Sequence, residues 1–253
     1  MQYRIILSFI LTFLFINNLF AQKPTLIFYC GITMVKPITE MAKIIEKKHN
    51  CIIKISQGGS KDLYDSIKYS KKGDLYLPGS QSYRTNNLKD GLLGDFVEIG
   101  FNKAAIFVKK GNPLKVSSLN DFSSEEYASV LCDPESGSVG KMTKNIFINF
   151  KDIHFYEEVL DNTVEIGTDS RNLNKALIDN RADISINWRA TSFWKENKKY
   201  IDIIEIDDKY APKKRLIISL LKFSKNKKIA KDFMNFAISK EGQKIMKKYG
   251  FLK

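Results

Sequence analysis

The chain has 253 residues, 43% of them hydrophobic and 27% charged, and its 41 Lys and Arg against 28 Asp and Glu leave a net charge of +13. That composition excludes a disordered or collagen-like chain. The length is enough to bury roughly three quarters of the surface, in one large core or two small ones.

Residues 1 to 21 carry one charge, Arg4, ahead of an apolar run from Ile5 to Phe15, and end at Ala21. A basic start, a short apolar stretch and a small residue before a polar segment predict a secretory signal cut after Ala21, and hence a periplasmic protein. The run is too short for a membrane span. No lipobox precedes Cys30. For an exported chain the scattered lysines, as at Lys47-Lys48, Lys71-Lys72 and Lys247-Lys248, read as solvated helix faces and not as a nucleic-acid surface. Their summed field favours capture of a small anion.

Thr25 to Cys30 reads as a strand, followed by Gly31-Ile32-Thr33. Ile38, Met41, Ala42 and Ile45, at i, i+3, i+4 and i+7, predict a helix ending near Asn50. Cys51 to Ser56 is a second strand, Gly58-Gly59-Ser60 a corner, and Leu63, Tyr64 and Ile67 mark the helix after it. Asp74 to Leu77 is a third strand, closed by Pro78-Gly79-Ser80. A second series starts with Ala104 to Val108 and the turn Lys110-Gly111-Asn112-Pro113. Ser129 to Cys132 leads through Ser136-Gly137-Ser138 into a helix bearing Met142, Ile146 and Phe150. Thr163 to Ile166 leads through Asp169-Ser170-Arg171 into a helix bearing Leu173, Ala176 and Leu177. Asp183 to Asn187 leads into Trp188-Arg189, and Arg215 to Lys222 is followed by two helices. Alternating strands and helices predict an α/β fold of two doubly wound lobes, each on a parallel sheet.

Strands feed helices or turns at Gly31 and Thr33, Gly59 and Ser60, Gly79 and Ser80, Ser136 to Val139, and Ser170 and Arg171. Open α/β sheets bind ligands at that edge. Helix N-termini there offer free N–H groups to anions, glycine permits close approach, and Ser or Thr adds a hydroxyl donor. Taken singly, each corner is equally a helix cap; their recurrence in both halves predicts one small-anion site. Arg171 and Arg189 either fork onto the anion or form surface salt bridges. Trp188 packs either on the ligand or at a hinge.

Catalytic residues and cofactors are not predicted. Ser136-Gly137-Ser138-Val139-Gly140-Lys141 lacks the spacer of a phosphate loop, and Met142 stands where its Ser or Thr belongs. There is no G-x-S-x-G elbow, and neither His49 nor His154 falls in a corner or within a metal-ligand cluster. Cys30 and Cys51 fall at opposite ends of adjacent strands if those are parallel, too far apart to bond, so free buried thiols are expected.

Gly31-Ile32-Thr33, Glu40-Met41-Ala42, Gln57-Gly58-Gly59-Ser60, Lys110-Gly111-Asn112-Pro113 and Cys132-Asp133-Pro134 resemble the periplasmic molybdate-binding proteins of ABC transporters. The ending, with Ser239-Lys240-Glu241-Gly242 and Lys248-Tyr249-Gly250, resembles that of bacterial solute-binding proteins generally. The resemblance implies a type II periplasmic binding fold: two lobes, 22–104 with 213–253 and 105–212, joined by two crossing strands that close about the ligand. It implies that hydroxyls of Thr33 and Ser60 and the backbone at Val139 hold a tetrahedral oxyanion such as molybdate, tungstate, sulfate or phosphate. Thr33 stands where that family has Ser, and Trp188 where it has Tyr. Asp169-Ser170-Arg171 is instead similar to a corner of the accessory colonisation factor and major antigenic adhesin proteins, which implies an organic acid or phosphate ester. The partner is then an ABC permease or a membrane sensor, and the protein a monomer.

Overall fold

A computed structural model describes residues 23–253; the expected signal at 1–21 lies outside the described residues. Two five-stranded sheets, each flanked by helices, carry the fold. In the first, β1 (Thr25–Gly31) lies between β2 (Ile52–Gly58) and β3 (Leu75–Leu77), parallel to both. β10 (Lys214–Leu221) then runs antiparallel to β3 and to β4 (Leu93–Asn102). The second sheet repeats the plan. β6 (Ser129–Cys132) lies parallel between β7 (Thr163–Gly167) and β8 (Ile184–Trp188), and β5 (Ala104–Lys109) runs antiparallel to β8 and to β9 (Ile201–Glu205).

The expectation of wholly parallel sheets is therefore corrected. In each sheet one reversed strand, β10 or β5, occupies the fourth place. The chain enters each of these strands as it crosses from the other sheet, by way of Lys103 into β5 and of residues 206–213 into β10. Lys103 is 7% exposed, and its Nζ lies 2.5 Å from an Asp208 carboxylate oxygen, so an ion pair ties the two crossings together.

The helices bury the faces that their periodicity marks. α1 (Val35–His49) buries Ile38, Met41, Ala42 and Ile45 and stops at Asn50, which adopts a left-handed conformation with φ 46°. α2 (Ser60–Ser70) buries Leu63, Tyr64 and Ile67. α3 (Gln81–Asn87) follows β3. α4 (Ser138–Phe150) buries Met142, Ile146 and Phe147, and α5 (Ile153–Asp161) packs beside it. α6 (Ser170–Ile178) buries Leu173, Ala176 and Leu177. α7 (Lys227–Ile238) and α8 (Lys240–Lys248) return to the first sheet, where Phe233 meets Phe28 edge to face with ring centres 5.1 Å apart. Each sheet thus has its own apolar core, one around Phe28, Met41 and Phe233, the other around Phe107, Phe122 and Phe147. β5 and β8 are buried along nearly their whole length; β5 reads accordingly as a continuous apolar run from Ala104 to Val108, whereas β8 also buries Ser185 and Asn187.

Cys30, Cys51 and Cys132 are buried free thiols. Pairing of Cys30 with Gln57 and of Thr25 with Ile52 places the first two cysteines toward opposite ends of the β1/β2 pair. Among the described residues, no helix is long and apolar enough to cross a membrane.

Candidate ligand-binding site

The C-terminal ends of the parallel strands in both sheets face one cavity of about 30 Å³ between the lobes. From the first lobe come Gly31 and Thr33 after β1, Gly59 and Ser60 after β2, and Gly79 after β3; from the second come Gly137, Ser138 and Val139 after β6, Ser170 after β7, and Trp188 ending β8. This volume is on the scale of a few water molecules, small enough that only a compact group fits.

Three helices begin at its wall. α2 starts at Ser60 behind Gly59, α4 at Ser138 behind Gly137, and neither glycine caps its helix with a side chain. Their first backbone N–H groups keep their donor capacity, and both N-termini contribute partial positive charge. α6 differs: Asp169 accepts from the Arg171 and Asn172 backbone N–H groups in a capping box. That carboxylate satisfies its own helix start.

The hydroxyls are arranged to donate. Ser60 Oγ accepts from the Gly79 N–H at 3.0 Å, and Ser138 Oγ accepts from Trp188 Nε1 at 3.2 Å. In each case the N–H occupies a lone pair and leaves the hydroxyl proton for another acceptor. Ser60 is 3% exposed, and its backbone carbonyl accepts from Tyr76 at 2.8 Å, which fixes the start of α2. Thr33 Oγ1 donates to Met34 Sδ at 2.7 Å, a weak acceptor that a stronger one would displace. Ser170 is held from behind by Asn187, whose Nδ2 donates to the Ser170 carbonyl and to Asn174 Oδ1, both at 3.0 Å.

Among the described residues lining the cavity, Asp169 alone carries an ionisable side chain. The site is therefore built from backbone dipoles and hydroxyls, which suit an anion without burying a fixed counter-charge.

Four expected site residues lie elsewhere. Ser80 caps α3, accepting from the Ser82 N–H at 3.3 Å. Ser136, within the loop that leads into α4, donates from Oγ to the Thr168 carbonyl at 3.0 Å. Arg171 places Nε and Nη2 at 3.3 and 3.0 Å from Asp169 Oδ2, the nearest carboxylate on its own helix start, and lines a neighbouring cavity instead. Arg189 donates to Glu205 at 3.0 Å and to the Gly250 carbonyl at 2.8 Å, so it joins the end of β8 to the C-terminal segment. Trp188 is 1% exposed and lines the cavity.

Ile32, Gly58, Thr168 and Asp169 also line the cavity, although sequence reasoning did not single them out as ligands. Ile32, Gly58 and Asp169 are each the immediate neighbour of a corner residue that was, and Thr168 lies two residues before Ser170. The corner as a whole was the available signal.

The described fold agrees with that of known proteins. The family model for bacterial extracellular solute-binding proteins matches residues 26–252. The ABC transporter substrate-binding lipoprotein YvgL of Bacillus subtilis is 23% identical over 235 residues, 91% of this chain and 87% of that protein. The periplasmic molybdate-binding protein of Azotobacter vinelandii has a similar structure, with a TM-score of 0.78 at 13% identity over 90% of this chain and 99% of that one. L-phospholactate-bound PEB3, of Campylobacter jejuni, is similar with a TM-score of 0.71 at 20% identity over 90% and 99% of the two chains. The type II periplasmic binding architecture is shared with these structures, and the chain belongs to the family of bacterial extracellular solute-binding proteins.

Proposed function

We propose that this chain is the exported solute-binding component of an ABC transporter, that it captures a small oxyanion in the cavity between its lobes, and that it presents the anion to a membrane permease. One observation carries the reading: two glycine-capped helix N-termini, one from each lobe, face each other across a cavity into which Ser60 and Ser138 can both donate. Thr33, Ser60, Ser138, Val139 and Ser170 hold the anion, while Gly31, Gly59, Gly79 and Gly137 let the backbones approach it. Trp188 orients Ser138. The lobes, 22–104 with 213–253 and 105–212, close about the crossings that Lys103 and Asp208 tie together.

The lipoprotein relative, named for ABC transport, supports a transport role, and the helix starts and hydroxyls that line the pocket, with its one carboxylate, Asp169, turned to the α6 start and Arg171, support an oxyanion. The test is a thermal-shift series on the purified protein with molybdate, tungstate, sulfate, phosphate and citrate. A ligand at a hundred times its Kd adds about 2.7 kcal/mol of stability. A clear rise in Tm with at least one of these, lost in Ser60→Ala, is the expected result. No rise with any of them would overturn the reading.

A further inference from the structure

Beside the oxyanion cavity lies a larger one of 340 Å³, again built from both lobes: Val35 and Lys36 from the first, Arg171, Ile178 and Trp194 from the second. Ile32 borders both cavities. Gln57 and Arg171 line the larger one, whereas their chain neighbours Gly58 and Ser170 line the smaller. The two spaces therefore adjoin along one seam between the lobes.

The chemistry of the second cavity differs from that of the first. Its walls at Ile32, Val35, Ile178 and Trp194 are apolar, and its volume lies in the range of small-molecule sites. Two of its lining side chains hold buried donors with no partner among the described residues: Trp194 Nε1 and Asn174 Nδ2, on residues 4% and 3% exposed. A buried N–H without an acceptor is costly, and an arriving acceptor relieves that cost. Three cations line the cavity against one acid, Glu196. Arg171 spends Nε and Nη2 on Asp169 and retains Nη1. Lys36 Nζ stands 4.9 Å from the centre of the Trp194 ring.

We propose that the second cavity receives the organic body of the solute. The ligand is then an organic oxyanion, its anionic head among the hydroxyls and helix starts of the small cavity. Its short carbon body, bearing a hydrogen-bond acceptor, lies against Ile32, Val35 and Trp194. This inference rests on the oxyanion reading above and narrows it. An inorganic oxyanion fills the head position alone and leaves apolar walls and orphaned donors uncovered.

The experiment is calorimetry on the purified protein with matched pairs, inorganic phosphate against glycerol 3-phosphate and sulfate against 3-hydroxypropanesulfonate, together with molybdate. The organic member is expected to bind at least tenfold more tightly in one pair. Ile178→Trp, which fills the second cavity, is expected to erase that advantage while inorganic affinity stays within threefold. Trp194→Phe keeps the ring and deletes one orphaned donor, and is expected to weaken the organic member alone without lowering the Tm of the free protein. Equal or tighter binding of the inorganic member, binding of molybdate only, or parallel losses for both members in Ile178→Trp would overturn the inference and leave the oxyanion reading standing. Absence of binding by every compound would overturn both.

Discussion

A Cβ placed on Gly79 would stand 2.4 Å from Ser138 Oγ and 3.5 Å from Ser60 Oγ. Gly79 and Ser138 belong to different lobes, so glycine at that position lets the lobes meet and brings two hydroxyls to one point. Gly59 plays the same part lower in the seam, where a Cβ would come within 2.9 Å of the Ser136 carbonyl oxygen.

Gly79→Ala is expected to hold the lobes apart while each keeps its own core. The measurement is small-angle scattering with and without ligand. A larger radius of gyration than the wild type under saturating ligand, with affinity reduced tenfold or more, is the expected outcome; wild-type compaction would refute the close approach.

Ser60→Ala removes a proposed donor to the anion and strips the Gly79 N–H of its acceptor. Hydrogen bonds to charged groups are worth about 1.5–3 kcal/mol, so a loss of affinity beyond tenfold is expected by calorimetry. Circular dichroism should remain that of the wild type, because Ser60 contributes no apolar packing to the core.

The Lys36 ammonium contacts the Glu196 carboxylate across the lobes. Burial pushes the Glu196 carboxyl up, but the hydrogen bond from Lys36, a backbone hydrogen bond and the charge of Lys36 together outweigh it, and the net effect holds the group below its ordinary value. A carboxyl lowered in the closed form favours closure above its ordinary pKa and loses that effect as pH falls through the lowered value. Both side chains are partly exposed, so the pair contributes about 0.2–1 kcal/mol. Glu196→Gln should weaken ligand binding at pH 7 by up to about fivefold, and the variant and wild type should converge only as pH falls through the lowered value of the Glu196 carboxyl. A difference that persists unchanged into acid would contradict this account.

Burial pushes the Cys132 thiol up to about 11 and the Cys30 thiol higher still. Thiolate is the reactive form, so a disulfide-exchange reagent at pH 8 should modify neither in the folded protein. Unfolding in guanidinium should expose Cys30, Cys51 and Cys132 together. Rapid labelling of native Cys132 would show that the loop under α4 opens.

Much of this arrangement was legible in the chain itself. The spacing of Ile38, Met41, Ala42 and Ile45 marks α1, and those residues are the ones α1 buries. Gly59-Ser60 and Gly137-Ser138 read as corners because glycine before a helix leaves its first N–H groups uncapped, and both corners line one cavity. Local geometry dictates such features, so a few neighbouring residues suffice to reveal them.

Arg171 shows where this stops. Its type and place suggested an anion partner, but Asp169, two residues earlier, caps α6 in a way that sets its carboxylate beside the guanidinium. Arg189 likewise finds Glu205 and the Gly250 carbonyl, separated from it by 16 and 61 residues. Partners that distant along the chain are chosen by packing and leave no periodic trace.

The sequence by itself marked most of the strands and helices and the corners between them, because these follow from side-chain periodicity and backbone preference within short windows; β4, β9, α3 and α5 were not among them and appear only in the structure. Only the tertiary structure decided that β5 and β10 run against their neighbours, that corners from two lobes share one cavity, and that a larger apolar one adjoins it. Those outcomes depend on contacts between residues far apart along the chain, within each sheet and where the two lobes meet, which no short window of sequence contains.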